Sequence, residues 1–401
     1  MTQPAEEQPG HHTEPSAGGW DEQLRAAFAG RSVFLTGHTG FKGSWLALWL
    51  HELGAEVTGY ALDPPTSPSN FEWAAVREAV RADHRADIRD QDRLERALRA
   101  SEPDVILHLA AQTVVLEGYA NPAETFSVNV VGSAVLLDAI RAVGRRCAVV
   151  MVSSDKCYAN DESGRPFEED DPLGGEDPYS ASKAGTELVT AAYRASFFPP
   201  GDLDRHGVAI ASARAGNVIG GGDWTAHGIV ADIVRSLEAE RPVSLRRPTS
   251  IRPWQHVLEP LGGYLTLAMR LGGDDAARYA RAWNFGPAPG NEPTVRELTE
   301  RFLAGWGSGR WEDASRPDDL PEAGVLRLSI ERARAQLGWR PRWGVAEAVD
   351  RAVAWYRRVA DDATAARAAC LEDIAAYMTA DAAATEAGDP ANDDGSATRL
   401  R

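Results

Sequence analysis

The apolar run Ser32 to Thr36 (SVFLT) passes directly into Gly37, His38, Thr39, Gly40, Phe41, Lys42 and Gly43, and then into the helix-forming stretch Ser44 to Leu53. A short, continuously apolar segment reads as a buried parallel strand. The glycines stand first, fourth and seventh in the turn, and each answers a steric need. The first permits a tight strand-to-helix turn, the next lets the backbone approach a diphosphate at the helix N-terminus, and the third lets the helix pack closely on the sheet. A glycine-rich turn alone is common for steric reasons. Set between a strand and a helix, it points to a doubly wound fold that binds a dinucleotide.

The alternation continues. Strands are expected at Glu56 to Ala61, Asp104 to Leu109, Ala148 to Ser153 and Val208 to Ala213, with helices from Phe126 to Val143 and from Tyr179 to Phe198. The fold class is therefore α/β, a doubly wound parallel (Rossmann-type) sheet with a smaller C-terminal α/β substrate lobe. Residues 30–215 form mainly the dinucleotide-binding domain and 216–374 mainly the substrate lobe, the chain being free to cross between them. The tryptophan-rich end (Trp283, Trp306, Trp311, Trp339, Trp343, Trp355) suits a lobe closing over the sheet. The polar, Pro- and Gly-rich start and the Ala- and Asp-rich end predict disordered tails over 1–29 and 375–401. His11 and His12 fall in the first tail and are not read as metal ligands.

Composition narrows the function. A net charge of −17 over 401 residues argues against a nucleic-acid surface. Cys147, Cys157 and Cys370 have no metal-like spacing and are read as reduced thiols; no metal site is expected. The sequence suggests neither a membrane span nor a signal peptide, which makes a cytoplasmic location the expectation.

The chemistry gathers where strands end. Asp63, after the second strand, is placed either to hold a ribose hydroxyl, favouring NAD, or simply to serve the turn before Pro64 and Pro65. Small residues after His108 (Leu109, Ala110, Ala111) leave room for a cofactor. Asn129 sits near the start of a helix, and Asp90 is a candidate N-cap. Ser153, Ser154, Asp155 and Lys156 follow a strand, and Tyr179 precedes Lys183 by four residues on one helix face. A lysine there would lower the phenol's pKa and make a usable base. The run Arg214 to Trp224, with four glycines and Asn217, reads either as the wall of a polar ligand site or as a mobile loop.

With these residues set out, the sequence resembles the extended short-chain dehydrogenase/reductases over about Val33 to Tyr356. The shared marks are the turn Gly37 to Gly43, Asp87 with Ile88, His108 to Ala111, Asn129, and Tyr179 with Lys183. Within that family it looks like the nucleotide-sugar 4,6-dehydratases, above all the branch that uses CDP-glucose. The segments responsible are GHTGFKGSWL from Gly37, SSDKCY from Ser153, DPYSASK from Asp177, ARAGNVIGGGDW from Ala213, IRPWQHVLEP from Ile251 and LGWRPRW from Leu337.

The resemblance implies an NAD-dependent hydro-lyase of deoxysugar biosynthesis, working as a homodimer through Phe126 to Val143 and Tyr179 to Phe198. It implies that Tyr179, Lys183 and Ser154 serve C4 oxidation, that Asp155 is the acid at C6 and that Lys156 is the base at C5. NAD would lie along Gly37, Thr39, Gly40, Phe41, Lys42, Gly43, Asp63, Asp87, Ile88, Leu109, Ala110, Ala111 and Asn129, besides Tyr179 and Lys183. The nucleotide sugar would meet Gln112, Asn217, Arg252, Trp254 and His256. After Gln112 the branch usually continues with a proline, an arginine and a Ser-Tyr pair, whereas this chain has Thr113 to Tyr119 (TVVLEGY), so another NDP-hexose stays open. The alternatives are an epimerase or C4 reductase of the same superfamily, which has no use for Asp155 and Lys156, and a non-catalytic dinucleotide-binding protein.

Overall fold

The computed structural model describes residues 19–290, 292–316 and 324–381. Seven parallel strands form the central sheet: β1 (Ser32–Thr36), β2 (Glu56–Ala61), β3 (Ala82–Arg85), β4 (Val105–His108), β5 (Cys147–Val152), β6 (Val208–Ala215) and β7 (Ala282–Phe285). Their order is β7-β6-β5-β4-β1-β2-β3, so the direction of travel reverses beside β1. Ligands of such sheets bind at that reversal, outside the carboxyl ends of the strands.

Side chains of a strand point alternately to its two faces, and the core divides accordingly. Val33, Leu35, Leu107, Val150 and Ala211 belong to one apolar cluster, while Phe34, Ile106, Val149 and Ile210 belong to the other. The first face is covered by α2 (Phe41–Glu52), whose Trp45 and Trp49 are fully buried, and by the C-terminal helices. The second is covered by Leu94 and Leu98 of α3 (Gln91–Ser101) and by Leu136, Leu137 and Ile140.

The expected tails need correction at their inner ends. Within 1–29, α1 (Trp20–Phe28) is a helix because Trp20, Leu24 and Phe28 recur at helical spacing; Leu24 and Phe28 are buried and the Trp20 indole donates to Thr266. Within 375–401, the helix Ala366–Thr379 runs past Ala375, with Tyr377 and Met378 buried. The polar composition of the neighbouring residues hides both. Residues 1–18, His11 and His12 among them, and 382–401 lie outside the described residues.

The expected helix from Phe126 to Val143 starts earlier. Pro122–Phe126, the π-helical turn Ser127–Val131 and Gly132–Val143 make one run. It is long and apolar enough, at a mean hydropathy of 1.5, to cross a bilayer by composition. Its packing against α3 and against the helix Pro178–Ser196 makes it part of the domain instead. The substrate lobe is less separate than expected. Strand β7 returns to the main sheet, and one apolar cluster runs from Leu24 to Met378 through Trp283, Trp339, Trp343 and Trp355.

Candidate active site

The glycine turn is tight. Gly37 has φ 77°, and a Cβ added there would stand 2.7 Å from the Ala110 nitrogen, while one on Gly43 would lie 2.0 Å from the Gly37 carbonyl. The turn is thereby pinned against the segment that follows β4. Thr36 reinforces the pin, its hydroxyl accepting from the Leu109 and Ala110 nitrogens. Gly40, by contrast, would meet only the Gly37 carbonyl, at 3.4 Å, which leaves this step of the turn open to a ligand. Phe41 packs partly buried against the core, and Thr39 donates to the Leu62 carbonyl.

Lys42 makes no hydrogen bond or ion pair among the described residues. Burial lowers its pKa to about 8 against the pull of the Asp155 carboxylate. An unpaired cation at a helix N-terminus suits a dinucleotide's diphosphate.

The other expected cofactor residues divide. The Asp63 side chain is exposed, 3.7 Å from an Arg85 nitrogen, at the mouth where β2 ends. Asp87 is held by Arg89, whose side chain and backbone nitrogen both donate to it, and this keeps its carboxyl below the usual range. Ile88 is buried in the second apolar cluster and packs on Gly132.

Asn129 is neither back-bonded nor solvent-facing. Its Oδ1 accepts from the Gln112 nitrogen at 2.8 Å, and its Nδ2 donates to the Gln112 carbonyl at 3.0 Å and to Ser182 at 2.8 Å. It thus ties the segment after β4 to the helix of Tyr179. The Gln112 side-chain amide donates to Thr125 and accepts from the Val114 nitrogen. Of the divergent segment, Gly118 packs on Tyr179, where a Cβ would sit 3.2 Å from that residue's nitrogen.

Strand β5 delivers the reacting groups. Ser154 caps a short 3₁₀ turn, Asp155–Cys157, by accepting from the Lys156 nitrogen, and it donates to Asp155 Oδ1 at 3.0 Å. The other oxygen, Asp155 Oδ2, is buried without a hydrogen-bond partner among the described residues. Burial raises the Asp155 pKa against the nearby cations Lys156, Arg252 and Lys42. A carboxyl so placed holds a proton for donation.

Tyr179 and Lys183 lie on the helix α4 (Pro178–Ser196), which Asp177 caps by accepting from the Ser180 nitrogen. Tyr179 is 8% exposed, and its phenol lies close enough to the Ser154 hydroxyl for that group to act on its ionisation. The expectation that Lys183 lowers the phenol's pKa is not met in the protein alone: burial raises it, and the Lys183 ammonium points to the Val152 carbonyl at 3.4 Å. Burial and the repulsion of Lys42 bring Lys183 down to about 8. Raising the pH through 8 therefore removes its charge. The alkaline fall of kcat/KM is expected near that pH, and Lys183→Arg, which stays charged, should move the fall upward while lowering the plateau.

The loop after β6 forms one wall. Val218–Ile219 pairs in parallel with Gln255–His256, which sets Asn217 beside the Arg252 to His256 run. The Asn217 amide makes no hydrogen bond among the described residues, and the buried Trp254 indole nitrogen is also without a partner there. Arg252 is buried, donates to the Ile251 and Gly324 carbonyls, and lies close enough to Asp155 to act on it. His256 does not belong to the site. Its ring is fully buried between Trp45 and Trp343, and burial drops its pKa to about 3, making it a core histidine.

Gly216 explains one glycine of this loop. A Cβ there would stand 2.4 Å from Pro253 Cγ and 2.9 Å from Asp155 Oδ2. Gly216→Ala should cost about 1–3 kcal/mol of stability through overpacking and, by displacing Asp155, about 10²-fold in turnover. Thermal unfolding and steady-state kinetics read the two separately.

Sequence reasoning missed a buried polar layer beneath these residues. Glu187 accepts from Ser153, from Ser212 at 2.7 Å and from Arg214 at 2.8 Å; Arg214 also donates to the Tyr158 hydroxyl and the Glu169 carbonyl. Burial pushes the Glu187 pKa up, but Arg214 and these donors outweigh it and hold the carboxylate ionised. The pair clamps β5, β6 and α4 together just under Ser154 and Tyr179. Two signals were present: Glu187 continues the Tyr179, Lys183 spacing, and Arg214 is the one charge in an otherwise buried strand.

A parallel sheet with a glycine turn at β1 and a Ser, Tyr, Lys set at β5 and α4 defines a short-chain dehydrogenase/reductase site. Comparison with known proteins agrees. Residues 34–200 match a family model described as GDP-mannose 4,6 dehydratase. The chain is 47% identical over 328 residues to the CDP-glucose 4,6-dehydratase of Salmonella typhimurium, covering 82% of this chain and 91% of that one. It is 30% identical over 327 residues to the UDP-glucose 4-epimerase of Mycolicibacterium smegmatis, covering 81% and 98%. Among solved structures, the dTDP-glucose 4,6-dehydratase DesIV of Streptomyces venezuelae, determined with NAD bound, matches with a TM-score of 0.66 at 27% identity over 81% of this chain and 97% of that one. The chain belongs to the nucleotide-sugar 4,6-dehydratase family, whose members are hydro-lyases.

Proposed function

We propose that the protein dehydrates CDP-glucose to CDP-4-keto-6-deoxyglucose with NAD as a resident cofactor. The observation that carries this reading is Asp155: a buried carboxyl with one oxygen unpartnered among the described residues, the other accepting from Ser154 beside the tyrosine of the oxidation site. An epimerase or C4 reductase needs the tyrosine and lysine but has no work for that acid. The choice of CDP-glucose is supported by the 47% identity to the Salmonella typhimurium enzyme, against 29–30% to dTDP-glucose dehydratases of Streptomyces and Actinoplanes.

The residues fit NAD. The open step at Gly40, the unpaired Lys42 ammonium and the small residues Ala110 and Ala111 would hold its diphosphate and ribose side, with Lys183 at the nicotinamide ribose. When bound, NAD supplies a hydride acceptor and a cationic ring beside the phenol. Tyr179 takes the proton of the C4 hydroxyl, and the positive charge missing from its surroundings in the protein alone is what its ionisation requires. Ser154 orients the same oxygen. Lys156, half-buried beside Asp155, takes the acidified C5 proton, and Asp155 protonates the departing C6 hydroxyl. Asn217 and Arg252 face the substrate diphosphate and Trp254 walls the nucleotide.

The protein works as a homodimer in this reading. Among the described residues, Phe126, Val131, Leu188 and Phe197 are the large exposed apolar residues apart from Leu62, and all four lie on or beside the Pro122–Val143 run and α4. A paired helix face would cover them. Three unpaired, buried cysteines agree with a cytoplasmic location.

Incubation with CDP-, dTDP-, UDP- and GDP-glucose, followed by mass spectrometry, tests the reading. Loss of one water from the CDP sugar alone is expected. Loss from another nucleotide would keep the reaction and reassign the base; isomerised or reduced products would favour the epimerase or reductase.

A further inference from the structure

Beneath the cofactor turn runs a line of buried polar side chains to which the proposed chemistry assigns no step: Thr36, His108, Ser133, Asn129 and Ser182, none more than 2% exposed. They come from β1, β4, the Pro122–Val143 run and α4. His108 stands in the middle, its two ring nitrogens facing different partners. Nδ1 lies 2.8 Å from the Thr36 hydroxyl, and Nε2 lies 3.4 Å from the Ser133 hydroxyl, the longest link of the line.

The hydrogens available fix which way each bond runs. A hydroxyl has one hydrogen and two lone pairs. The Thr36 oxygen accepts from the Leu109 and Ala110 nitrogens at 3.1 Å each, so its hydrogen goes to His108 Nδ1. On the far side Ser133 donates its hydrogen to the Asn129 carbonyl at 2.6 Å, so its oxygen is left to accept from His108 Nε2. The two ends are independent, and both assign the same tautomer, a neutral ring with its proton on Nε2. Burial, aided by the Lys183 charge, drops the ring's pKa to about 3, which keeps it neutral. Histidine suits the place because its rigid ring accepts at one nitrogen and donates at the other.

We propose that His108 is a positioning residue: as the Nε2–H imidazole it fixes the distance between the cofactor turn and the helix that carries Tyr179. On one side the bonds reach Thr36, the residue that opens into Gly37. On the other they reach the Asn129 carbonyl in the π-helical turn Ser127–Val131, which also accepts from Thr186 of α4 at 2.9 Å. The Asn129 amide goes on to Ser182, whose hydroxyl donates to the Tyr179 carbonyl at 2.7 Å. Oxidation at C4 needs the nicotinamide and the phenol placed against the same carbon, one carried by the turn and the other by α4. The role goes beyond the dehydratase reading, since any C4 oxidation at this site needs that distance; only the substrate of the assay is taken from that reading.

Two readouts on the holoenzyme test the role. Ser133→Ala removes one link and leaves Thr36 its partner. Its kcat should fall about 10- to 10²-fold with the KM for CDP-glucose unchanged, and the isotope effect on kcat from deuterium at C4 should rise, because hydride transfer is the step that loses its geometry. Ser133→Thr, which keeps the hydroxyl, should restore the wild-type values. A Ser133→Ala enzyme with a lower melting temperature but the wild-type kcat and isotope effect would overturn the proposal and leave His108 a packing residue. Independently of activity, NMR of the wild type isotope-labelled at its histidine nitrogens should show His108, identified by its loss in His108→Gln, as a neutral ring protonated at Nε2. That signal should not titrate as the pH falls through the ordinary histidine range. A ring protonated at Nδ1, or one that titrates there, would overturn the proposal too. Absence of water loss in the wild type would instead bring down the dehydratase reading; the state of the ring and the isotope comparison on an isomerised product would still decide the positioning role.

Discussion

Asp155→Asn is expected to lower the formation of 4-keto-6-deoxy product by about 10²–10⁴-fold while leaving oxidation at C4 intact. The side chain keeps its size, so the packing against Gly216 and the acceptor for Ser154 survive, but the proton for the C6 hydroxyl is gone. Oxidation and proton removal at C5 can still run forward and back. Substrate recovered from D₂O should therefore carry deuterium at C5 without having lost water. Full turnover in this variant would remove Asp155 from the role of acid at C6.

Tyr179→Phe gives the opposite pattern. Deleting the phenol removes the base at C4, and turnover should fall by a comparable 10²–10⁴-fold. With no ketone at C4 the C5 hydrogen is no longer acidified, so deuterium should not enter at C5. Deletion of this buried hydroxyl should cost about 1 kcal/mol of stability, which a thermal melt distinguishes from unfolding. The two variants together separate oxidation from dehydration. A Tyr179→Phe enzyme that still exchanged the C5 hydrogen would show that some other group takes the C4 hydroxyl proton.

Much of this was legible in the residues. The strand, turn and helix from Ser32 fix a local geometry that few other folds use, and the seven-stranded parallel sheet follows from repeated short apolar runs. Ser154, Asp155, Tyr179 and Lys183 could be read as a set because helix spacing and strand ends are local rules. What could not be read depends on contacts between distant residues. His256 sits in a motif that looks like a ligand-binding run, yet its place is set by Trp45 and Trp343, more than 80 positions away on either side. Asn129 looked like an ordinary helix residue until Gln112 and Ser182 came to meet it. The helix Trp20–Phe28 was lost in the average composition of a polar tail, although only its own three apolar residues were needed.

The shift of Tyr179 is instructive in the same way. The four-residue spacing to Lys183 suggests a direct electrostatic effect on the phenol, but in the folded chain the ammonium is drawn to a strand carbonyl and burial dominates. The spacing alone therefore does not bring the phenol's pKa down in the folded chain.

The most direct test of the whole account follows one hydrogen. CDP-glucose carrying deuterium at C4 is converted by the holoenzyme in ordinary water, and the product is examined by NMR and mass spectrometry. The account predicts deuterium in the C6 methyl group of the 4-keto product, carried there from C4. Deuterium that stays at C4 or is lost to solvent would contradict it.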